Sequence, residues 1–191
     1  MSASAARSLM ALASFPVLMA LLGSEFSLRL WVGTKMGMAA APIARILILA
    51  FWFNALALVS FTKLQAKGRP DLVTKILLLQ ILPYWAALYF GMTRYGLIGC
   101  GVAFLGRMIL DYIMQTLVSD GKAAALMPAI GYAGLLSAAL LWSQWLGYHD
   151  VLWWLGAGLM TMLLGVLSWR DLPDVVRARI IQLRPPKQVL V

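Results

Sequence analysis

The chain has 191 residues, of which 62% are hydrophobic and 12% are charged. A soluble globular domain normally carries about 25% charged residues, so this composition indicates an integral membrane protein. Lys and Arg number 16 against 7 Asp and Glu, which gives a formal net charge of +9. In a membrane protein such an excess is typical of basic loops facing anionic lipid on the cytoplasmic side. No nucleic-acid partner is predicted.

The chain contains a single cysteine, Cys100, and a single histidine, His149. These counts exclude a disulfide within one chain, a zinc site built from Cys and His, and any mechanism that needs two imidazoles. The sequence also shows no cluster of acids and no nucleophile beside a base, which a membrane enzyme would need. We therefore predict no catalytic residues, no metal and no cofactor, and a protein that is not an enzyme.

Six hydrophobic segments are predicted to span the membrane, for which a helix needs about 20 residues. They are 8–24, 43–62, 74–93, 97–118, 124–147 and 151–168. The first resembles a signal peptide because Arg7 precedes its apolar core, but no convincing small-residue cleavage site follows, so it is interpreted as a membrane helix. The predicted fold class is all-α, a polytopic transmembrane bundle of about six helices over residues 1–169.

The tail, residues 170–191, is predicted to be cytoplasmic, basic and amphipathic. Asp171 could cap a short helix on the inner leaflet, in which apolar side chains alternate with basic ones at helical spacing. The apolar set is Val175, Val176, Ile180 and Leu183, and the basic set is Arg177, Arg179 and Arg184. A solvated tail without a helix is the alternative.

The Lys and Arg residues on each side of the membrane predict the orientation, because six spans place both termini on one face. Eleven lie on the face of the termini: Arg7, Lys63, Lys67, Arg69, Lys75, Lys122, Arg170, Arg177, Arg179, Arg184 and Lys187. Four lie on the other face: Arg29, Lys35, Arg45 and Arg94. Loops rich in Lys and Arg stay in the cytoplasm. Both termini are therefore predicted to be cytoplasmic, in the cell inner membrane.

A series of phrases within residues 20–118 resembles a known family. LRLWVGTKM precedes a helix containing RILILAFWFN, the loop KGRPD follows, and a turn, TRYG, leads into LIGCGVAFLGRMILD. In order and spacing these phrases resemble the C-terminal half of polysaccharide (O-antigen type) flippases. Their superfamily also contains the multidrug and toxic compound extruders. The resemblance implies translocation of undecaprenyl-diphosphate-linked oligosaccharide during polysaccharide biosynthesis and export, with this lipid-linked substrate and membrane lipids as partners.

The length of the chain departs from the family pattern. Members usually have about twelve to fourteen helices in two related lobes, whereas six are predicted here. Three interpretations stay open: a fragment, a truncated reading frame, and a half-transporter. The last would need a partner, either a missing N-terminal lobe or a second copy of the chain.

Arg107, Asp111 and Gln115 form a polar stripe inside the span 97–118, because positions four residues apart share one helix face. An arginine or aspartate at the centre of a membrane helix costs about 2.5–3.5 kcal/mol, so the stripe must face protein or water. In a flippase, the Arg107 guanidinium could bind the substrate diphosphate with two hydrogen bonds. The alternative is that Arg107 and Asp111 neutralise each other as a structural pair.

Weaker candidates lie on neighbouring segments. Asn54 is included among the substrate-binding residues, although amides such as Asn54 and Gln80 more often bond across helices in a bundle. At the predicted cytoplasmic mouth, the loop before the third span carries basic side chains that could attract an anionic head group. These are Lys63, Lys67 and Arg69.

Two rival functions follow from the same residues. A multidrug/cation antiporter of the same superfamily would need an acid in a cavity for cation coupling, and only Asp111 qualifies. A non-transporting membrane assembly subunit is consistent with the short length.

Overall fold

The computed structural model describes residues 3–120, 126–145 and 150–171. They form five α-helices: α1 (Ala3–Val32), α2 (Thr34–Ala66), α3 (Pro70–Asp120), α4 (Met127–Trp145) and α5 (Val151–Asp171). Four of these, α1, α2, α3 and α5, are long and apolar enough to cross a membrane. The described residues therefore confirm the predicted all-α, multi-pass fold class. The predicted tail helix falls on residues 172–191, outside the described ranges.

Helix α3 is a hairpin of two arms, α3a (residues 70–95) and α3b (residues 97–120). The arms meet at Gly96, which has a φ of 59° and a ψ of −137°. Residues with a Cβ rarely adopt this conformation, so the glycine permits the reversal. Contacts between the arms move away from Gly96 in similar steps on both sides: Gly91 meets Gly99, and Gln80 meets Asp111. The arms are therefore antiparallel, and the short turn predicted at TRYG is present.

The order of packing runs from α3 through α2 and α1 to α4 and α5. Helix α2 packs on α3 on one side and on α1 on the other, and α1 also contacts α4 and α5. Buried side chains mark these contacts: Trp52 of α2 donates from its indole nitrogen to the Ser14 hydroxyl of α1, at 3.0 Å. On α3b, Thr116 bonds Ser60 of α2 at 3.1 Å. Helix α2 is thus the element that joins the α3 hairpin to the rest of the bundle.

Helices α1 and α2 extend further than the predicted spans 8–24 and 43–62. Residues 25–42, outside those spans, are helical except at Gly33, whose φ is 90°. Its backbone turns the chain so sharply that Gly37 lies against the backbone of Arg29. Hydropathy locates the apolar core of a helix, whereas hydrogen bonding continues the helix through polar residues beyond it.

The close approach of the two α3 arms gives a testable prediction about stability. A Cβ on Gly99 would overlap the carbonyl oxygen of Gly91, whereas a Cβ on Gly106 would meet nothing within 4 Å. Gly99→Ala should therefore force the arms apart and lower the thermal unfolding temperature in detergent by several degrees. Gly106→Ala, on the same helix, is the matched control and should be neutral or slightly stabilising. Equal unfolding temperatures for both variants would contradict the close contact.

Candidate functional site

A groove of about 680 Å³ lies between the two arms of α3. Small side chains on both arms leave the space open, since Gly91, Gly99, Ala103 and Gly106 all line it. Arg107 is the only charged residue among those that line this groove. The described residues thus place one cation in a groove with mainly apolar walls.

Tyr84 on α3a holds the Arg107 side chain. The guanidinium carbon of Arg107 lies 4.9 Å from the centroid of the Tyr84 ring, which is a cation–π contact worth about 0.5–2 kcal/mol. This contact is not a hydrogen bond, and none of the Arg107 N–H groups donates a hydrogen bond to a described residue. The arrangement therefore orients Arg107 and leaves its donors for a ligand.

Arg107 lies near the middle of its membrane pass. It follows Gly96 by eleven residues, which corresponds to about 16 Å of helix in a hydrocarbon core about 30 Å thick. The cost of a charge at this depth, about 2.5–3.5 kcal/mol, exceeds what one cation–π contact returns. A bound anion would offset the remainder.

Asp111 is bonded to two glutamines and not to Arg107, the partner that the sequence suggested. Its two carboxylate oxygens accept hydrogen bonds from the amide nitrogens of Gln80, at 3.1 Å, and Gln115, at 2.8 Å. Asp111 is only 8% exposed, and no ion pair joins it to Arg107 among the described residues. The structural-pair interpretation of Arg107 and Asp111 is therefore wrong in this structure, because Gln80 on the other arm takes the place of the arginine.

Asn54, Asp111 and Gln115 line a second pocket, of about 440 Å³, between α2 and α3. Arg107 does not line it. The four residues predicted as substrate-binding are thus divided between two cavities and do not line a single site. Gln80 connects the two, since it lines the groove and bonds Asp111.

The basic residues predicted at the cytoplasmic mouth lie where α2 ends and α3 begins. Lys67 donates from Nζ to the backbone carbonyl of Ser119, at 2.5 Å, and so caps the C-terminal end of α3b. Lys63 is half-buried, and Arg69 is exposed. Lys67 therefore has a structural contact, whereas the Arg69 side chain faces the surroundings of the bundle.

A buried ion network on α1, α2 and α4 was not identified from the sequence. Arg45 of α2, 4% exposed, donates to the Glu25 carboxylate at 2.8 Å, the Ser24 hydroxyl at 3.2 Å and the Ser143 carbonyl at 2.6 Å. Glu25 also pairs with Arg29 one turn further along α1. The charge pattern predicts Arg45 at the membrane face opposite the termini, but its side chain joins three helices inside the bundle.

A third cavity, of about 870 Å³, lies between α1 and α5 beside this network. Its walls are mainly apolar and aromatic, with Phe26, Trp153 and Trp154 among them. Glu25 and Arg45 stand at its polar side, and they already bond each other. This cavity therefore lacks the available cation that distinguishes the α3 groove.

The described residues define a polytopic α-helical membrane protein with a cation-bearing groove in one helical hairpin. A stretch of 107 residues is 36% identical to a putative O-antigen transporter from Shigella flexneri. The match covers 56% of this chain and 26% of the relative, so the matched stretch spans about a quarter of the length of that protein. The match confirms the resemblance to the O-antigen flippase family. No protein-family model and no solved structure matches the chain.

Proposed function

We propose that this chain is part of a transporter that flips an undecaprenyl-diphosphate-linked oligosaccharide across the inner membrane during polysaccharide export. The observation that carries the proposal is Arg107, half-buried in the α3 groove and held over Tyr84. The similarity to a putative O-antigen transporter supports the same class of cargo. The diphosphate head group cannot cross hydrocarbon unaided, so a cationic groove at mid-depth offers it a path.

Arg107 would bind the diphosphate oxygens through its N–H groups, which have no acceptor among the described residues. Guanidinium matches phosphate geometry with two parallel hydrogen bonds and keeps its charge in an apolar setting. Between residues 81 and 98, the hairpin that forms the groove has no buried residue. That surface is available to the rest of a transporter, either another lobe or a second copy of the chain.

In the proposed orientation, the Gly96 turn faces outward and the α2–α3 loop faces the cytoplasm, with both termini. The helix contacts support spans that run in alternating directions across the membrane. The C-terminal ends of α2 and α3b meet at Lys67 and Ser119, on the opposite side of the bundle from Gly96. Lys63 and Arg69, near that end, would attract the anionic head group before it enters the groove. The pocket with Asn54, Asp111 and Gln115 lies next to the groove, and Asp111 would hold the groove residue Gln80 in place through their hydrogen bond.

Reconstitution tests this function against its two rivals. The complete transporter that contains this chain is placed in liposomes with a fluorescent lipid-linked oligosaccharide, and lectin binding from outside reports its appearance in the outer leaflet. We expect the lipid-linked sugar to be translocated and a fluorescent organic cation to be left untransported. Efflux of the organic cation without flipping would support the multidrug antiporter instead. Transport of neither would favour an assembly subunit.

A further inference from the structure

Gln80 is a second polar residue of the α3 groove. From the sequence it is expected only to form a hydrogen bond between helices. It is 2% exposed and lines the groove together with Arg107 and Tyr84. The amide nitrogen Nε2 donates to Asp111 at 3.1 Å and contacts the sulfur of Met114 at 3.9 Å. Both hydrogens of Nε2 therefore have acceptors within the protein.

The amide oxygen of Gln80 has no such partner. Among the described residues, the buried Oε1 accepts no hydrogen bond. Leaving a buried acceptor unpaired costs about 1–3 kcal/mol. The residues that line the groove thus include one cation, Arg107, and one residue with a buried, unpaired acceptor, Gln80.

These two groups require opposite partners. A diphosphate supplies only acceptors at neutral pH, so it satisfies Arg107 and cannot satisfy Gln80 Oε1. A sugar hydroxyl is a donor and can satisfy it. Resting on the proposed function, we propose that Gln80 Oε1 accepts a hydrogen bond from the sugar next to the diphosphate and makes the groove selective for glycosylated over bare lipid diphosphate.

Gln115 provides a matched control. Its Nε2 also donates to Asp111, at 2.8 Å, and its buried Oε1 is also without a donor among the described residues. Gln115 lines the pocket between α2 and α3, however, and not the groove with Arg107. Loss of either glutamine removes one bond to Asp111, but only loss of Gln80 removes an acceptor from the groove.

The test compares binding of three lipids to the complete transporter in nanodiscs. The probes are a polyprenyl diphosphate, the same lipid bearing one hexose, and that lipid with its hexose hydroxyls replaced by fluorine. Fluorine is close to a hydroxyl in size and carries no donor. We expect the wild type to bind the hexose lipid about tenfold more tightly than its fluorinated form, the factor typical of a hydrogen bond in a desolvated site.

Gln80→Met should reduce that ratio to about one, whereas Gln115→Met should keep the wild-type ratio even if its absolute affinities change. A Gln80→Met protein that still discriminates tenfold would overturn the proposal, as would equal loss of the ratio in both variants. Binding of the bare polyprenyl diphosphate tests the underlying function separately. If Arg107→Ala binds that lipid as well as the wild type, the diphosphate site is wrong whatever Gln80 does.

Discussion

Replacing Arg107 by Ala is expected to reduce translocation of the lipid-linked oligosaccharide at least a hundredfold. The variant removes the one cation among the described residues that line the α3 groove, and charge-assisted hydrogen bonds to phosphate are about twice as strong as neutral ones. Arg107→Lys should recover only part of the rate, because an ammonium cannot make the two parallel bonds or the same contact with Tyr84. The measurement is lectin-detected flipping by the complete transporter in liposomes.

Two further variants separate a ligand role from a folding role. Arg94→Ala removes an exposed arginine from the same hairpin and should transport normally. Asp111→Asn keeps a polar side chain that can still accept a hydrogen bond from a glutamine amide, so this variant should retain much of the transport. Arg107→Ala should accumulate in the membrane like the wild type, since Arg107 has no ion-pair partner among the described residues that it would leave unpaired. Poor accumulation of Arg107→Ala alone would indicate that Arg107 is needed for folding and is not only a ligand-binding residue.

Breaking the Glu25–Arg45 pair should cause the largest loss of stability. Their side chains are only 16% and 4% exposed, and they lie 2.8 Å apart. Arg45→Met leaves the Glu25 carboxylate with less compensation and removes bonds to Ser24 and Ser143. Removing one partner of a buried pair typically costs 3–5 kcal/mol, and we expect at least about 3 kcal/mol here. Denaturant titration in mixed micelles measures the free energy of unfolding.

The chain contains a matched ion pair at the surface. Lys75 and Asp71 lie 3.5 Å apart one turn along α3a, with side chains 72% and 59% exposed. Lys75→Met should change the free energy of unfolding by less than about 1 kcal/mol, because exposed pairs are weak. The double variant Glu25→Leu with Arg45→Leu should be more stable than either single variant, since it leaves neither charge buried without the other. Equal effects of Lys75→Met and Arg45→Met would contradict a buried network.

Composition and hydropathy were sufficient to predict the fold class, because an apolar segment of about 20 residues has few stable alternatives to a membrane helix. The turn before Gly96 was also predictable, since glycine suits a reversal with positive φ. The extent of α1 and α2 was not. The polar end of α1 contains Glu25 and Arg29, which hydropathy assigns to a loop, whereas their pairing with each other and with Arg45 lets them remain in a helix.

The candidate site was only partly predictable for a related reason. Arg107 stood out because a charge in the middle of an apolar span needs compensation. Spacing along one helix suggested Asp111 as its neighbour, but the actual neighbours, Tyr84 and Gln80, lie on the other arm. Such contacts depend on how the hairpin closes, which a helical repeat cannot show. The sequence contains one signal of the buried network around Arg45: Glu25 and Arg29 lie four residues apart in an apolar stretch.

Photocrosslinking locates the substrate most directly. A polyprenyl diphosphate with a diazirine beside the phosphates is irradiated with the complete transporter, and the labelled peptides are identified by mass spectrometry. We predict labels on the two arms of α3 around Tyr84 and Arg107, and their loss in Arg107→Ala. Labels confined to the cavity between α1 and α5, near Phe26 and Trp154, or labels on α3 that persist in Arg107→Ala, would contradict a diphosphate site at Arg107.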